Sequence, residues 1–169
     1  PISINVPASS RFSRVLREEL GFTGTKIGCN AGDCGACTIL VDEKLICSCM
    51  MAAQKADGCN IETIEGLQND CSVTNGRLQK SFLRHGAAQC GICTPGMVVS
   101  AEALLRKNPY PNEKEVEDAI GGVLCRCTGY RNIIKAIVNT NIEEDTSIPN
   151  NPQSENSVGT PIAVSYTHL

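Results

Sequence analysis

Apolar and polar positions alternate at the start of the chain. Ile2, Ile4 and Val6 are separated by Ser3 and Asn5, the period of a short half-buried strand. The period then lengthens. Phe12, Val15, Leu16 and Leu20 recur at helical spacing behind Ser9 or Ser10 as the expected N-cap, and Gly21 marks the stop. Residues 21–35 are rich in Gly, Asn and Asp and read as a loop. Cys37 to Val41 is a β-branched, strand-like run, Asp42-Glu43-Lys44 turns the chain into Leu45-Ile46-Cys47, and Ile61 to Ile64 reads as one more short strand. Residues 1–67 are thus expected to form a small α+β unit with a mixed sheet.

A polar stretch at 68–76 reads as a linker, and beyond it the period is helical throughout. Leu78, Phe82 and Leu83 form one stripe, ended near Gly86. Thr94-Pro95 opens a helix carrying Met97, Val98, Ala101, Leu104 and Leu105, which stops before Asn108-Pro109. Asn112 and Glu115 have capping-box spacing ahead of Val116, Ala119 and Ile120, and a last helix from about Tyr130 carries Ile133, Ile134, Ile137 and Val138. Four short helices over 77–140 predict a compact bundle. Residues 141–169 are polar, with few apolar anchors, and read as a flexible tail or a linker to a further domain.

With 169 residues split this way, each half has a small core, and small cores usually need a metal or disulfides. A net charge of −3 argues against a nucleic-acid face, and no apolar run approaches the roughly 18 residues of a membrane span. The eleven cysteines are odd in number, and no export signal precedes them. That pattern favours metal in a reducing, cytoplasmic compartment over a secreted disulfide framework.

Eight of the cysteines fall into two sets. Cys29, Cys34 and Cys37 are spaced x4 and x2 within a Gly-rich loop and are closed by Cys49, with Cys47 as the competing fourth thiol. This is the spacing of a plant-type 2Fe–2S centre and a poor one for zinc, which prefers paired CxxC knuckles. Glycine lets backbone N–H groups approach the charged sulfurs. Cys90 and Cys93 stand just before one predicted helix, and Cys125 and Cys127 just before another, where orphan N–H groups favour thiolate. Two differently spaced sets imply two 2Fe–2S clusters. Arg126 can neutralise cluster charge or simply lie at the surface. Cys59 and Cys71 read as ordinary thiols, His85 and His168 as surface residues.

Gly24 to Thr38, Gln89 to Met97 (Gln-Cys-Gly-Ile-Cys-Thr-Pro-Gly-Met) and Leu124 to Tyr130 (Leu-Cys-Arg-Cys-Thr-Gly-Tyr) carry a family resemblance. Over about residues 1–140 the chain resembles the iron–sulfur subunit or domain of the molybdenum hydroxylases, the xanthine dehydrogenase, aldehyde oxidoreductase and carbon monoxide dehydrogenase small-subunit family. The resemblance implies a plant-type ferredoxin-like (β-grasp) N-terminal domain followed by an all-α four-helix-bundle domain, with one 2Fe–2S cluster in each. It favours Cys49 over Cys47. It also implies that Gln89 and Cys127 touch the pterin of a molybdopterin cofactor held by a partner subunit or fused domain. Electrons would then run from molybdenum through the Cys90/Cys93/Cys125/Cys127 set to the Cys29/Cys34/Cys37/Cys49 set, and on to FAD or an external acceptor, with no catalytic residue in this chain.

The start at Pro1 reads as truncated by one strand, which would leave a sheet edge unfilled. Asp42-Glu43 stands where relatives carry Asp-Gly, a weaker turn. Ser157 to Ile162 resembles a linker into a molybdenum domain, and residues 163–169 break from that pattern. A free-standing two-cluster ferredoxin and a zinc-stabilised interaction module are the competing functions.

Overall fold

The protein is described by a computed structural model covering residues 2–67, 74, 76–142 and the backbone of 162–165. The expected linker, apart from Thr74 and Gly76, lies outside these residues, as do Cys71, His168 and most of the tail. In the first half, β1 (Ile2–Ser3) is followed by a short helix α1 (Phe12–Arg14) that widens into a π-helical turn, Val15–Glu19. Strands β2 (Thr38–Val41), β3 (Lys44–Cys47) and β4 (Asn60–Glu62) complete this half. The helical half has α2 (Arg77–Arg84), α3 (Thr94–Lys107), α4 (Glu113–Ile120) and α5 (Arg131–Val138), and β5 (Ile162–Ser165) returns to the sheet.

The sheet order is β1-β5-β4-β2-β3, antiparallel except between β1 and β5. Two expectations change here. Within the span read as a flexible tail, Ile162–Ser165 forms a strand, and it lies inside the sheet between β1 and β4. The physical reason is backbone pairing on both sides: Ile162 pairs with Ile61 and Val164 with Ile2. Neither serine caps α1. The N-cap is Arg11, whose extended backbone bridges to Ala52, so the cap falls just beyond Ser9 and Ser10. Gly21 holds the expected left-handed stop at φ +72°.

All four β2 residues are buried because both faces are covered. Ile39 and Val41 pack with Phe12, Val15, Leu16 and Ile61 beneath α1, while Leu40 packs with Leu67 and with Val99 and Ala103 of α3. The remaining side of α3 supplies Met97, Ala101 and Leu105 to the helical core with Leu78, Phe82, Val116, Ile120, Ile133 and Ile137. α3 is therefore buried nearly all round and belongs to both halves. Each such aliphatic side chain contributes roughly 1.5–3 kcal/mol on burial. The capping box of Asn112 and Glu115 forms as expected. Leu83, expected in the α2 stripe, is 75% exposed; it lies one position past the buried face. His85 is half-buried rather than at the surface, its Nδ1 2.9 Å from the Ser81 carbonyl.

An ion-pair network crosses between the halves. Arg106 of α3 donates to both carboxylate oxygens of Glu62 in β4, at 2.9 and 2.7 Å. Buried Glu102 stands 3.6 Å from Arg106 and accepts from Thr74 at 3.0 Å. Planar, bidentate Arg–carboxylate geometry of this kind fixes orientation as well as distance.

Between β2 and β3, Asp42 (φ +47°) and Glu43 (φ +63°) are both left-handed, the two-residue turn that Asp-Gly serves best. Asp42 is compensated: its carboxylate accepts from Asn60 N–H at 2.9 Å. Glu43 has only the cost. Replacing Glu43 by Gly is expected to stabilise the protein by about 1 kcal/mol, read as a raised urea midpoint at constant m-value; an unchanged or lowered midpoint would contradict the strain assigned to this turn.

Two candidate metal centres

Local backbone form brings the first four thiols together. Between residues 28 and 37 the chain wraps through left-handed conformations at Asn30, Gly32 and Gly35. Gly28 gives way for a sulfur: a Cβ there would stand 2.7 Å from Cys34 Sγ. The wrapped loop turns its amides inward. Ala31, Asp33 and Cys34 each direct an N–H at Cys29 Sγ, all at 3.3 Å, and Cys29 N–H points at Cys34 Sγ at 3.2 Å. Across the strand pair, Cys49 N–H points at Cys37 Sγ at 3.4 Å. Four of these five amides serve the Cys29/Cys34 pair and the fifth the Cys37/Cys49 pair.

The amides set the acidity. Backbone hydrogen bonds, led by Ala31, bring Cys29 down to about 7. Burial pushes Cys49 up to about 11, with adjoining Cys37 acting the same way. Cys47 stays beside the set: its thiol donates to the Gly32 carbonyl at 3.7 Å, and burial raises its pKa. Cys59 does not join either group and donates to the Lys55 carbonyl at 3.3 Å.

The second set collects at two helix starts. Cys93 is the N-cap of α3, with Pro95 in its first turn, and Cys125 and Cys127 lie in the bend before α5. Cys90 and Cys127, both exposed, meet with their sulfurs 3.5 Å apart. Cys125 is half-buried and Cys93 buried beneath them. The Ile92 amide lowers Cys90, and burial carries Cys93 to about 12. At Cys125 burial acts upward most strongly but is outweighed by Thr128 and nearby amides, so the net shift is down; the Thr128 hydroxyl lies 3.1 Å from Sγ. Gln89 is exposed next to Cys90 in the chain, and Arg126 is exposed between Cys125 and Cys127. Ile92 and Leu124, chain neighbours of these cysteines, are 45% and 57% exposed.

Two supporting residues went unread in the sequence. Tyr130, held at φ +65°, accepts the Cys125 N–H on its hydroxyl at 2.9 Å. Arg11 reaches the main chain of Asn30 and Cys49. Arg11 lies far from either cysteine motif in sequence; Tyr130 closes the second one, but its spacing carries no signal that its hydroxyl returns to Cys125, although the left-handed start at Tyr130 is foreshadowed by Thr128-Gly129.

The ten described cysteines are free thiols, and among the described residues no three His, Cys, Asp or Glu side chains close on a single ion. The two sets are not independent. Leu124 N–H donates to the Cys34 carbonyl at 2.9 Å, one residue from Cys125. At this seam the backbones come so close that a Cβ on Gly35 would lie 2.1 Å from the Gly122 carbonyl, and one on Gly96 2.6 Å from the Gly35 carbonyl.

Residues 1–61 match the model of a 2Fe-2S iron-sulfur cluster binding domain, and residues 63–138 that of a [2Fe-2S] binding domain. The chain is 45% identical over 135 residues to the nicotinate dehydrogenase small FeS subunit of Eubacterium barkeri, covering 80% of this chain and 85% of that one. Among solved structures it is similar to quinoline 2-oxidoreductase of Pseudomonas putida, at 48% identity and TM-score 0.74, covering 79% of this chain and 82% of that one. It is also similar to the aldehyde oxidoreductase of Desulfovibrio gigas, at 41% identity and TM-score 0.74, covering 81% of this chain but 15% of that longer one.

Because Gly35 combines φ +67° with contact to both halves, Gly35→Ala is expected to cost about 2–4 kcal/mol. A denaturant titration reads this directly. A variant as stable as the parent would mean that the two thiol loops are not in contact.

Proposed function

This chain belongs to the iron–sulfur subunits and domains of the molybdenum hydroxylases, oxidoreductases of the xanthine dehydrogenase family, and we propose that it is the two-cluster electron relay of such an enzyme. The reading assigns a plant-type ferredoxin-like (β-grasp) domain to the first half and a four-helix bundle to the second. Cys29, Cys34, Cys37 and Cys49 hold one 2Fe–2S cluster; Cys90, Cys93, Cys125 and Cys127 hold the other. The donors suit that group: thiols meet in pairs, as a two-iron centre takes them, and loop amides aim at the sulfurs. Bound there, such clusters supply one-electron redox chemistry. Cys49 is preferred to Cys47 because it is buried and its N–H points at Cys37 Sγ, which supports it as the fourth ligand, although the Cys47 thiol, 3.7 Å from the Gly32 carbonyl, also adjoins Cys37.

One observation carries the relay. The hydrogen bond from Leu124 N–H to the Cys34 carbonyl joins a ligand residue of one site to the neighbour of a ligand in the other. A bonded route this short between two sites has no use in a protein that employs them separately. The family resemblance supplies direction. The second site's exposed residues, Gln89, Cys90 and Cys127 with Ile92 and Leu124 beside the thiols in sequence, suit a molybdopterin-bearing subunit or domain, with Gln89 and Cys127 against the pterin. Electrons then enter at the second set and leave from the first, where Cys29 is exposed, toward a flavin subunit or an external acceptor. The chain itself contributes no acid, base or nucleophile to the oxidation.

The reading is tested on the full chain reconstituted with iron and sulfide. Reduction is expected to give two distinct 2Fe–2S signals by EPR. Cys49→Ser is expected to alter or abolish one signal, while Cys47→Ser leaves both. A colourless zinc protein or a single signal would sink the relay, and sensitivity at Cys47 instead of Cys49 would reassign the fourth ligand. Copurification with a molybdopterin-containing partner separates this role from that of a free-standing ferredoxin.

A further inference from the structure

We infer that Arg11 is the positioning residue of the first centre, holding one peptide so that its N–H faces Cys29 Sγ and tying that peptide to the main chain of Cys49. The inference rests on the relay reading above. Arg11 lies outside the cysteine loop, at the N-cap of α1, and its own backbone is pinned by the bridge to Ala52 and by Phe12 N–H to the Met51 carbonyl at 2.8 Å. From this anchored position a single nitrogen, Nη1, donates to the Asn30 carbonyl at 2.5 Å, the Asn30 side-chain oxygen at 3.3 Å and the Cys49 carbonyl at 3.1 Å.

The Asn30 carbonyl and the Ala31 N–H belong to one planar trans peptide and point in opposite directions. Fixing the oxygen on Arg11 therefore fixes the N–H, which is directed at Cys29 Sγ at 3.3 Å. A cation on the oxygen also polarises the peptide and strengthens what its N–H donates. The same guanidinium joins Asn30, the residue after Cys29, to Cys49, so it ties the two ends of the thiol set in sequence. Among the described residues the partners of Nη1 are neutral oxygens, and of the two carboxylates in the same groove, Glu18 and Glu19, Glu18 is turned to Arg14 at 3.0 and 3.1 Å. A positive charge and an aligned donor at one end of an anionic centre both favour its reduced state.

The test uses the reconstituted full chain, with the first site's EPR signal identified as the one changed in Cys29→Ser. Arg11→Met is expected to move that signal's midpoint potential to more negative values and leave the second unchanged, and Arg11→Lys to recover part of the shift. Loss of the first cluster alone, with circular dichroism unaltered, supports the same role. An unchanged first potential in Arg11→Met, or an equal shift of both signals, overturns it. If Arg11→Met does not fold, Arg11→Gln, which removes the charge, decides alone. Several-fold faster loss of the first site's iron to a chelator supports the inference, and a parental rate overturns it. A parent protein without two signals would instead remove the relay reading.

Discussion

Two stretches of backbone approach each other closely where the thiol loops meet, and most of the organisation follows from that seam. Gly35, pressed against the Gly122–Val123 backbone, and Gly96, pressed against the Gly35 carbonyl, have no room for a side chain where the first thiol loop meets the second. The Leu124–Cys34 hydrogen bond forms because of that proximity. Packing from both sides keeps it in place. α3 presents Val99 and Ala103 to the sheet half and Met97 and Leu105 to the helices, and the Arg106–Glu62 pair sets the angle between them. Wide separation of thiol pairs in sequence is thereby converted into short separation in space.

Within each loop the same economy appears at the level of single amides. A thiol set without a preformed polar surround would hold charge poorly, and here the chain supplies the surround before any metal is considered. The first loop does it by left-handed turns that aim N–H groups at sulfur; the second does it with a helix N-terminus, Thr128 and the hydroxyl of Tyr130. The exposed members, Cys29, Cys90 and Cys127, mark where each set meets its surroundings, and the buried ones, Cys37, Cys49 and Cys93, anchor each set to a core.

Much of this was legible in the sequence. Cysteine spacing isolates the two sets because ligand distance constrains spacing directly, and helices α2 to α5 follow their periodicity and caps, including the Asn112–Glu115 box. What escaped was decided by contacts distant in sequence. Arg11 takes the N-cap from the serines because its backbone is recruited by Ala52, far along the chain. Leu83 looks like a stripe residue in isolation, yet α2 buries only the face that carries Leu78, Ser81 and Phe82. Tyr130 reads as the start of a helix, and only the fold brings its hydroxyl to Cys125. β5 joins β1 to β4 across nearly the whole chain, a pairing that no local pattern encodes.

Because α3 is interior to both halves, neither can come apart without exposing the other's hydrophobic surface. Two family modules are thus expected to melt as one cooperative unit. Any ion or cluster that favours the folded state at one thiol set then adds to the folded population seen by the other. Assembly of the first centre and of the second become thermodynamically linked events, so that a chain loaded at one site is better prepared to be loaded at both.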